Sequence, residues 1–405
     1  MFPTKIFEKK HILVGISGGI AAYKTCEFIR YLVTNGAAVR VMMTRSAEKF
    51  ITRYTLETLS GNPVYSKMFP DDQFIATHHI SIADWADSVI VAPATANIIG
   101  KVANGIADDF VSTTLLAAHC PVVFAPAMNK NMWNNPSVQR NTKTLEQDNY
   151  LICYPEEGFL AEGYSGVGRL ARLEYLAQYI YRAVHPSPRS LRNKKVLITA
   201  GRTEEALDPV RILTNRSTGK MGFALAIDAF ARGADVVLIH GPSVLPDPSD
   251  IQSVEVTTAK EMHEEVSKHI SAADIFVSAA AITDFMPAKY SKQKIKKEKA
   301  LNSVEMSRTK DILEEVGKKK KMGQYLVGFA VETEAVEKNA REKLTSKNLD
   351  LIAINNPLEK DAGFVHETNK IVLLNRAGEK KDLPIAYKLD VARELFEFLL
   401  KSTQK

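Results

Sequence analysis

Along the first half of the chain, short apolar runs alternate with longer segments of mixed polarity. His11–Ser17, Val39–Thr44, Ser88–Ala92, Pro121–Ala125 and Tyr150–Cys153 have the near-continuous apolar character of strands buried on both faces. Helical stretches such as Ile20–Asn35 separate them. This pattern predicts a parallel sheet covered on both sides by helices, with ligands gathering at the carboxyl ends of the strands. The alternation breaks between Arg182 and Lys195. There Pro186, Ser187, Pro188 and Ser190, with Arg189 and Arg192, make a polar stretch that neither a helix nor a central strand would hold. It restarts with Lys195–Ala200, Asp235–His240, Ile275–Ala280, Tyr325–Ala330 and Leu351–Ile354, while Lys370–Leu374 and Lys380–Leu383 flank Ala377-Gly378 as a hairpin. The predicted class is α/β, with two tandem Rossmann-like domains. The first, residues 1–185, is flavodoxin-like; a linker covers 186–194; the second, 195–405, has a mostly parallel sheet.

Length and composition agree with this division. A chain of 405 residues suits two cores of roughly 200 residues each. Hydrophobic residues at 45% and charged residues at 25% give the balance of a soluble globular protein. No stretch approaches the roughly 18 to 20 apolar residues of a membrane span, so no membrane partner is expected. The segment Met1–His11 carries Lys5, Lys9 and Lys10 without an apolar block, so no secretory signal is expected either. Cys26, Cys120 and Cys153 lie far apart and form no framework, which fits a reducing cytoplasm. Much of the mild net charge of +6 sits in two lysine runs, Lys292–Lys299 and Lys318–Lys321. Neither run contains the aromatic residues that nucleic-acid binding would interleave; no nucleic-acid partner is expected, and Lys318–Lys321 reads as solvated surface.

The first strand runs into Gly15-Ile16-Ser17-Gly18-Gly19-Ile20-Ala21-Ala22 and then a helix, an arrangement that lets backbone N–H groups approach a phosphate. The spacing is not GxGxxG, so the dinucleotide fingerprint is not met. It does match GxSxG, but only about 16 residues precede Ser17, too few for the strands that come before a hydrolase nucleophile elbow. A mononucleotide phosphate suits the loop better. Two more strand ends carry related loops, Ala92-Pro93-Ala94-Thr95-Ala96-Asn97 and Ala125–Trp133. His78 and His79 precede a helical segment, Ile80–Ala86, and the pattern alone does not choose between them.

The combination of Gly15–Ala22, His79-Ile80 followed by Trp85-Ala86-Asp87, Pro93-Ala94-Thr95, and Pro126-Ala127-Met128-Asn129 resembles the flavin-dependent cysteine decarboxylases, and most closely the phosphopantothenoylcysteine decarboxylases. The resemblance implies FMN held by Ser17, Gly18, Gly19, Thr44, Ala94 and Thr95. It implies that His79 acts at the substrate cysteine and that Asn129 holds the substrate carboxylate. Oxidation of the thiol-bearing carbon by the flavin would give a thioaldehyde, an electron sink β to the departing carboxylate; the reduced flavin then returns the hydride. One position departs from the family. Where the clamp before Gly166-Val167-Gly168-Arg169 has a cysteine that serves as proton donor, this chain has Glu162. A carboxylic acid can donate as well if burial raises its pKa, and Glu162 is expected to take the role. The alternative is a flavin-binding domain that serves assembly or regulation with decarboxylation impaired.

In the second half, Lys195–Gly201 again delivers a strand into a small-residue turn, followed by Asp208-Pro209-Val210-Arg211 and Thr214–Gly222. Gly219-Lys220 invites a P-loop reading, but Thr214 replaces the first glycine and Met221 the Ser/Thr. With Lys294-Ile295-Lys296-Lys297 downstream, these motifs resemble the phosphopantothenate–cysteine ligases across the whole second half. The resemblance implies CTP held by Ser278, Ala279, Ala280, Asp284, Lys294, Lys310, Asp311, Ile312, Leu313, Phe329, Lys343 and Lys347, with Mg2+ bridging the phosphates. It implies that the carboxylate of 4′-phosphopantothenate attacks the α-phosphate to give an acyl-cytidylate and pyrophosphate, and that the amine of L-cysteine displaces CMP. Asn215 would anchor the activated intermediate, Arg211 would contact substrate and Lys294 would serve catalysis. Arg202 stands where a small residue or proline is usual, which leaves the shape of that turn open. The resemblance further implies trimeric contacts between decarboxylase halves and dimeric contacts between ligase halves, up to a dodecamer.

Overall fold

Strands built from unbroken Val, Ile and Leu have no polar face to offer water, so each must lie between helices. The computed structural model bears this out in two units, Lys5–Pro188 and Arg189–Lys405. It describes residues 3–69, 78–295, 303–331, 336–355 and 363–403. Lys296, Lys297 and Lys299 of the first lysine run lie outside the described residues.

In the first unit, β1 (His11–Ile16), β2 (Ala38–Met43), β3 (Val64–Tyr65), β4 (Ser88–Ala94), β5 (Val122–Pro126) and β6 (Leu151–Ile152) form one parallel sheet in the order β3-β2-β1-β4-β5-β6. Val14 lies opposite both Val41 and Ile90, which fixes β1 at the centre. The order reverses between β1 and β4, and the crevice outside their carboxyl ends is where a doubly wound sheet binds ligands. Around the sheet lie α1 (Thr25–Thr34), α2 (Arg53–Ser60), α3 (His78–Trp85), α4 (Ala96–Ala103), α5 (Phe110–Ala117), α6 (Lys130–Trp133), α7 (Pro136–Gln147) and α8 (Leu173–Ala183). The expected Ile20–Asn35 helix is divided, because a 3-10 turn over Ile20–Lys24 precedes α1. After β6 a hairpin of β7 (Glu156–Phe159) and β8 (Ser165–Arg169) stands apart from the sheet.

The second unit repeats the plan. β9 (Lys195–Ala200) is central; β10 (Glu204–Ala206) and β11 (Ile212–Thr214) form an arm; β12 (Asp235–His240), β13 (Gln252–Glu255) and β14 (Ile275–Ser278) follow, then the pair β15 (Phe285–Pro287) and β16 (Met306–Arg308). β17 (Tyr325–Val331), β18 (Leu351–Asn355), β19 (Thr368–Asn369), β20 (Ile371–Asn375), β21 (Lys380–Asp382) and β22 (Ala386–Tyr387) complete the strands. The main sheet runs β13-β12-β9-β14-β17-β18-β20-β21, parallel as far as β18 and extended by the antiparallel hairpin β20–β21. Helices α9 (Lys220–Ala231), α10 (Ala259–His269), α11 (Ile312–Lys318), α12 (Val336–Ser346) and α13 (Lys388–Thr403) cover it. Leu197, Phe276 and Leu326 form the core with Ile312 and Val316. No described helix is long and apolar enough to cross a membrane. The second lysine run is only partly solvated: Lys318 and Lys319 pair with Glu314 and Glu315 on the surface, but the Lys320 side chain is 11% exposed and grips Asp350 at 2.6 Å.

Candidate functional site

At the carboxyl edge of the first sheet, three loops are tied together by side chains. Ser17 is 1% exposed and its hydroxyl is spent on structure: it donates to the Pro93 carbonyl at 2.7 Å and accepts from the Thr95 N–H at 2.9 Å. Held this way, the hydroxyl has its proton committed to a carbonyl oxygen and not to a base that could activate it as a nucleophile. A Cβ on Gly18 would stand 2.5 Å from Ser46 Cβ and 2.9 Å from the Ser46 carbonyl carbon, so this glycine lets the loop after β1 touch the loop after β2. A Cβ on Gly19 would meet only Thr95 Cγ2, at 3.5 Å, an ordinary contact. The Thr44 hydroxyl accepts from the Ala47 N–H at 3.3 Å and shapes the turn after β2. Gly19 and Thr95 open the 3-10 turn and α4 without any side chain capping them, so first-turn N–H groups are left for an anion. Ala94 is fully buried and acts through its backbone, accepting from the Ala127 N–H at 3.0 Å. The donor set and the two uncapped helix starts fit a flavin phosphate.

That last bond carries the site over to Asn129. Asn129 Oδ1 accepts from the Asn131 N–H at 2.8 Å and its amide donates to the Tyr164 hydroxyl, on the turn between β7 and β8. The hairpin glycines explain themselves here. A Cβ on Gly168 would stand 2.1 Å from the Met128 carbonyl oxygen, and one on Gly166 would stand 2.5 Å from Lys130 Cδ. With the Met128 N–H donating to the Gly168 carbonyl at 2.9 Å, β8 is seated directly on the Asn129 loop. Glu162 occupies the exposed tip of this hairpin, in the turn closed by the Leu160 N–H to the Tyr164 carbonyl at 2.9 Å. Among the described residues Glu162 is exposed, on a two-stranded turn separate from the main sheet, so any burial must come with substrate. Cys153 is fully buried behind β5 and β6.

His78 and His79 form the first turn of α3. Asp87, just past the end of that helix, donates its N–H to the His11 carbonyl at 2.8 Å, at the amino edge of the sheet. The helix start therefore lies toward the carboxyl edge, where Tyr65 at the end of β3 faces the His78 ring at 6.2 Å. His78 Nε2 and His79 Nδ1 are both buried without a hydrogen-bond partner among the described residues. Such orphaned nitrogens await a partner.

In the second unit the strand-to-helix junction is again set by glycine. A Cβ on Gly222 would stand 2.3 Å from Ala200 Cβ and 2.9 Å from Ala200 Cα, so its absence lets α9 close onto β9. Gly219 opens α9 at φ 80° against Gly201. Ala279 and Ala281 donate to the Thr199 and Gly201 carbonyls at 3.1 and 2.9 Å, which brings Ser278–Ala281 alongside this turn. A cleft opens between them, with Phe329 on a further wall. The open question of Arg202 is settled: its guanidinium binds Glu204 at 3.0 Å and the Ser217 carbonyl at 3.2 Å, joining the turn to the α9 approach. Asn215 donates to the Ala281 carbonyl at 3.0 Å, with its oxygen left for a ligand.

Several charged residues implied as ligand contacts are occupied by one another. Arg211 forks onto Asp208 at 2.9 and 2.6 Å and reaches the Ile295 carbonyl at 2.9 Å; Ile295 N–H returns a bond to Asp208 at 3.2 Å. Arg211, helped by the Val210, Ile295 and Arg211 N–H groups, holds the Asp208 carboxyl far below the usual carboxylate range. The DPVR turn thus grips the segment carrying Lys294, whose own side chain is exposed. Lys347, one residue past α12, binds Asp311 at 2.6 Å. Burial pushes the Asp311 carboxyl up, but Lys347 and the Glu314 N–H outweigh it and the net shift is downward. Lys343 sits half-buried on α12, while Asp284 and Lys310 are exposed and adjoin through the Thr309 N–H to the Asp284 carbonyl at 3.0 Å. Ile312 and Leu313 are core residues, so only their backbone can meet a ligand. Lys220 bonds Glu367 and the Val365 carbonyl, which removes it from any P-loop role.

Two cleft residues escape sequence reasoning. Asn355, the last residue of β18, is 5% exposed and its Oδ1 has no partner among the described residues; a polar residue closing an apolar strand was the available signal. Lys388, 2% exposed at the start of α13, carries no such signal. No described group of three or more His, Cys, Asp or Glu could hold a metal by itself.

Residues 4–185 match the family described as Flavoprotein, and residues 191–402 match the DNA/pantothenate metabolism flavoprotein C-terminal domain. The chain is similar to the Coenzyme A biosynthesis bifunctional protein CoaBC of Bacillus subtilis (strain 168), 46% identical over 394 residues that cover 97% of each chain. The Vibrio cholerae protein of the same name is 42% identical, covering 94% of this chain and 95% of its own. Among solved structures, the C-terminal domain of a Coenzyme A biosynthesis bifunctional protein CoaBC is 36% identical and covers 53% of this chain and 98% of its own, with a TM-score of 0.46.

Proposed function

The chain belongs to the family of the coenzyme A biosynthesis bifunctional proteins, and on that premise we propose how its two units divide the work. The C-terminal unit is the ligase that joins 4′-phosphopantothenate to L-cysteine. The N-terminal unit is the flavin-dependent decarboxylase that converts phosphopantothenoylcysteine to 4′-phosphopantetheine. The match to bifunctional relatives along nearly the whole chain disfavours a merely flavin-binding N-terminal unit.

In the N-terminal unit the cofactor is FMN, a single nucleotide in keeping with a turn after β1 that departs from the GxGxxG dinucleotide spacing. Gly18 and the first-turn N–H groups that follow Gly19 and Thr95 face its phosphate, and Ser17, Thr44 and Ala94 hold the loops that present them. Bound flavin supplies the hydride acceptor and donor. His79, whose buried Nδ1 has no partner among the described residues, moves the proton at the substrate cysteine, and Asn129 orients the departing carboxylate. Glu162 donates the last proton once substrate covers the hairpin tip. The observation that carries this reading is the seating of β8 on the Asn129 loop through Gly166 and Gly168, a contact with no use in an inert module.

In the C-terminal unit the nucleotide is CTP. The start of α9, Ala279, Ala280 and Phe329 line its cleft, and Ser278 ends β14 beside Gly328, next to them in the chain. Asp284, Lys294, Lys343, Lys347 and the backbone of Lys310–Leu313 supply further contacts. Lys347 exchanges Asp311 for phosphate, and Mg2+ would supply further neutralisation of charge at the phosphates. Arg211 positions the Lys294 segment and shows its exposed edge to substrate; Asn215 anchors the acyl-cytidylate. The units associate as trimers and dimers respectively, in the cytoplasm. Exposed Val210, Ile212 and Phe285 on the β10–β11 and β15–β16 arms support association of the ligase unit. Release of pyrophosphate that requires 4′-phosphopantothenate and Mg2+, with CMP released only when L-cysteine is also present, would support the ligase reading; formation of AMP from ATP in preference to CMP from CTP would overturn its nucleotide assignment.

A further inference from the structure

Every backbone carbonyl from Gly363 to Glu367 is taken by a donor from another element. Thr218 Oγ1 donates to Phe364 at 2.7 Å, and Lys220 Nζ donates to Val365 at 3.2 Å. Lys388 Nζ donates to Gly363 at 2.8 Å, to Phe364 at 3.4 Å and to His366, while its own N–H donates to Glu367 at 3.0 Å. No carboxylate among the described residues pairs with the Lys388 ammonium, although it is 2% exposed. Gly363, Phe364 and Lys388 line the same cleft as Gly219, Ala280 and Phe329.

We propose that Lys388 is a positioning residue for nucleotide binding: its buried ammonium holds Gly363–Glu367 as a wall of the cleft and sets an unpaired positive charge behind that wall. The inference rests on the reading of this cleft as the CTP site. Three carbonyls use all three N–H donors of an ammonium; a neutral amine would have only two and no charge. Among the described residues, the charged groups that face it are Lys220, from the start of α9, and Glu367, which Lys220 already binds. Two cations against one carboxylate leave one positive charge for a polyphosphate.

Burial, reinforced by Lys220, pushes the Lys388 amine down to about 8, with Glu367 opposing. The sign follows. A bound anion favours the ammonium and raises its pKa, so binding takes up a proton above about pH 8. Affinity is then highest below that pH and falls up to about tenfold per unit above it.

The test is calorimetric titration of the full chain with CTP at pH 7.5 and 9.0, each in two buffers of different ionisation enthalpy. Wild type should lose several-fold in affinity between these values and take up part of a proton at the higher one. Lys388→Met should bind about tenfold more weakly at pH 7.5, with no uptake. Lys388→Arg, charged throughout, should bind with nearly equal affinity at both values and covers the case in which the methionine variant misfolds. A Lys388→Arg protein that keeps the wild-type pH slope and proton uptake overturns the proposal. Hydrogen exchange of the Gly363–Glu367 amides in ligand-free protein separates the two readings. Faster exchange in Lys388→Met supports the latch even if wild type binds no CTP, an outcome that would remove the nucleotide assignment; unchanged exchange removes the latch.

Discussion

The two units start from one plan, a strand entering a small-residue turn at the point where the strand order reverses, yet they prepare their clefts differently. In the first, neutral groups do the positioning: Ser17 between Pro93 and Thr95, Gly18 against Ser46, Gly168 against Met128. In the second, charges do it in pairs: Arg211 with Asp208, Lys347 with Asp311, Lys220 with Glu367. On the proposed assignments, the difference follows from what each cleft must meet. A flavin mononucleotide brings one phosphate, which backbone N–H groups at two helix starts can hold. A nucleoside triphosphate brings several charges and needs mobile cations; on the proposed reading Lys347 stays paired with Asp311 until the ligand arrives, while Arg211 and Lys220 fix the loops around it.

That contrast can be broken most severely at Gly18. Gly18→Asp drives a carboxylate into Ser46 and toward the phosphate, and the purified protein should be colourless; a variant with full flavin absorbance would contradict the cradle. Next, Gly168→Ala should lift the hairpin off the Asn129 loop and slow CO2 release roughly a hundredfold, the scale of lost positioning, while CMP release stays unchanged. His79→Ala should cost a similar roughly hundredfold in decarboxylation, with His78→Ala mild; the reverse ranking would exchange their roles. In the charged unit, Lys294→Gln should slow CMP formation by roughly thirtyfold without touching the decarboxylase, and Lys294→Arg should also be impaired because a planar fork is not a compact ammonium. Unaltered CMP formation in Lys294→Gln would take that residue out of the mechanism. The smallest effect belongs to Glu162→Gln. Water reaches the exposed tip, so the reductive half should slow by roughly tenfold, below the usual range for a positioned acid. Normal turnover there would make Glu162 a surface residue.

The same contrast explains what could be read from the sequence. Strands such as Lys195–Ala200 and Asp235–His240 were legible to the residue because burial on both faces leaves no polar interruption. The two-residue strands Val64–Tyr65 and Leu151–Ile152 and the hairpin β7–β8 are set by tertiary contacts that no local periodicity records. Site loops with glycine were legible as close approaches, although which neighbour each glycine meets was not. Charged site residues were legible as types only: nothing local says that Arg211 is spent on Asp208, or that Lys220 leaves the phosphates for Glu367. Asn355 and Lys388 reach the cleft from β18 and α13 respectively, more than 130 residues beyond Gly219, and only the fold brings them there.

The central claim is that both halves of this chain are active and act in sequence. It is tested most directly by mass spectrometry of the product formed by the flavin-loaded full chain from 4′-phosphopantothenate, L-cysteine and CTP with Mg2+. The account predicts 4′-phosphopantetheine with CMP and pyrophosphate as co-products. Accumulation of phosphopantothenoylcysteine, or of the oxidised aminoenethiol, with no fully reduced product would contradict it.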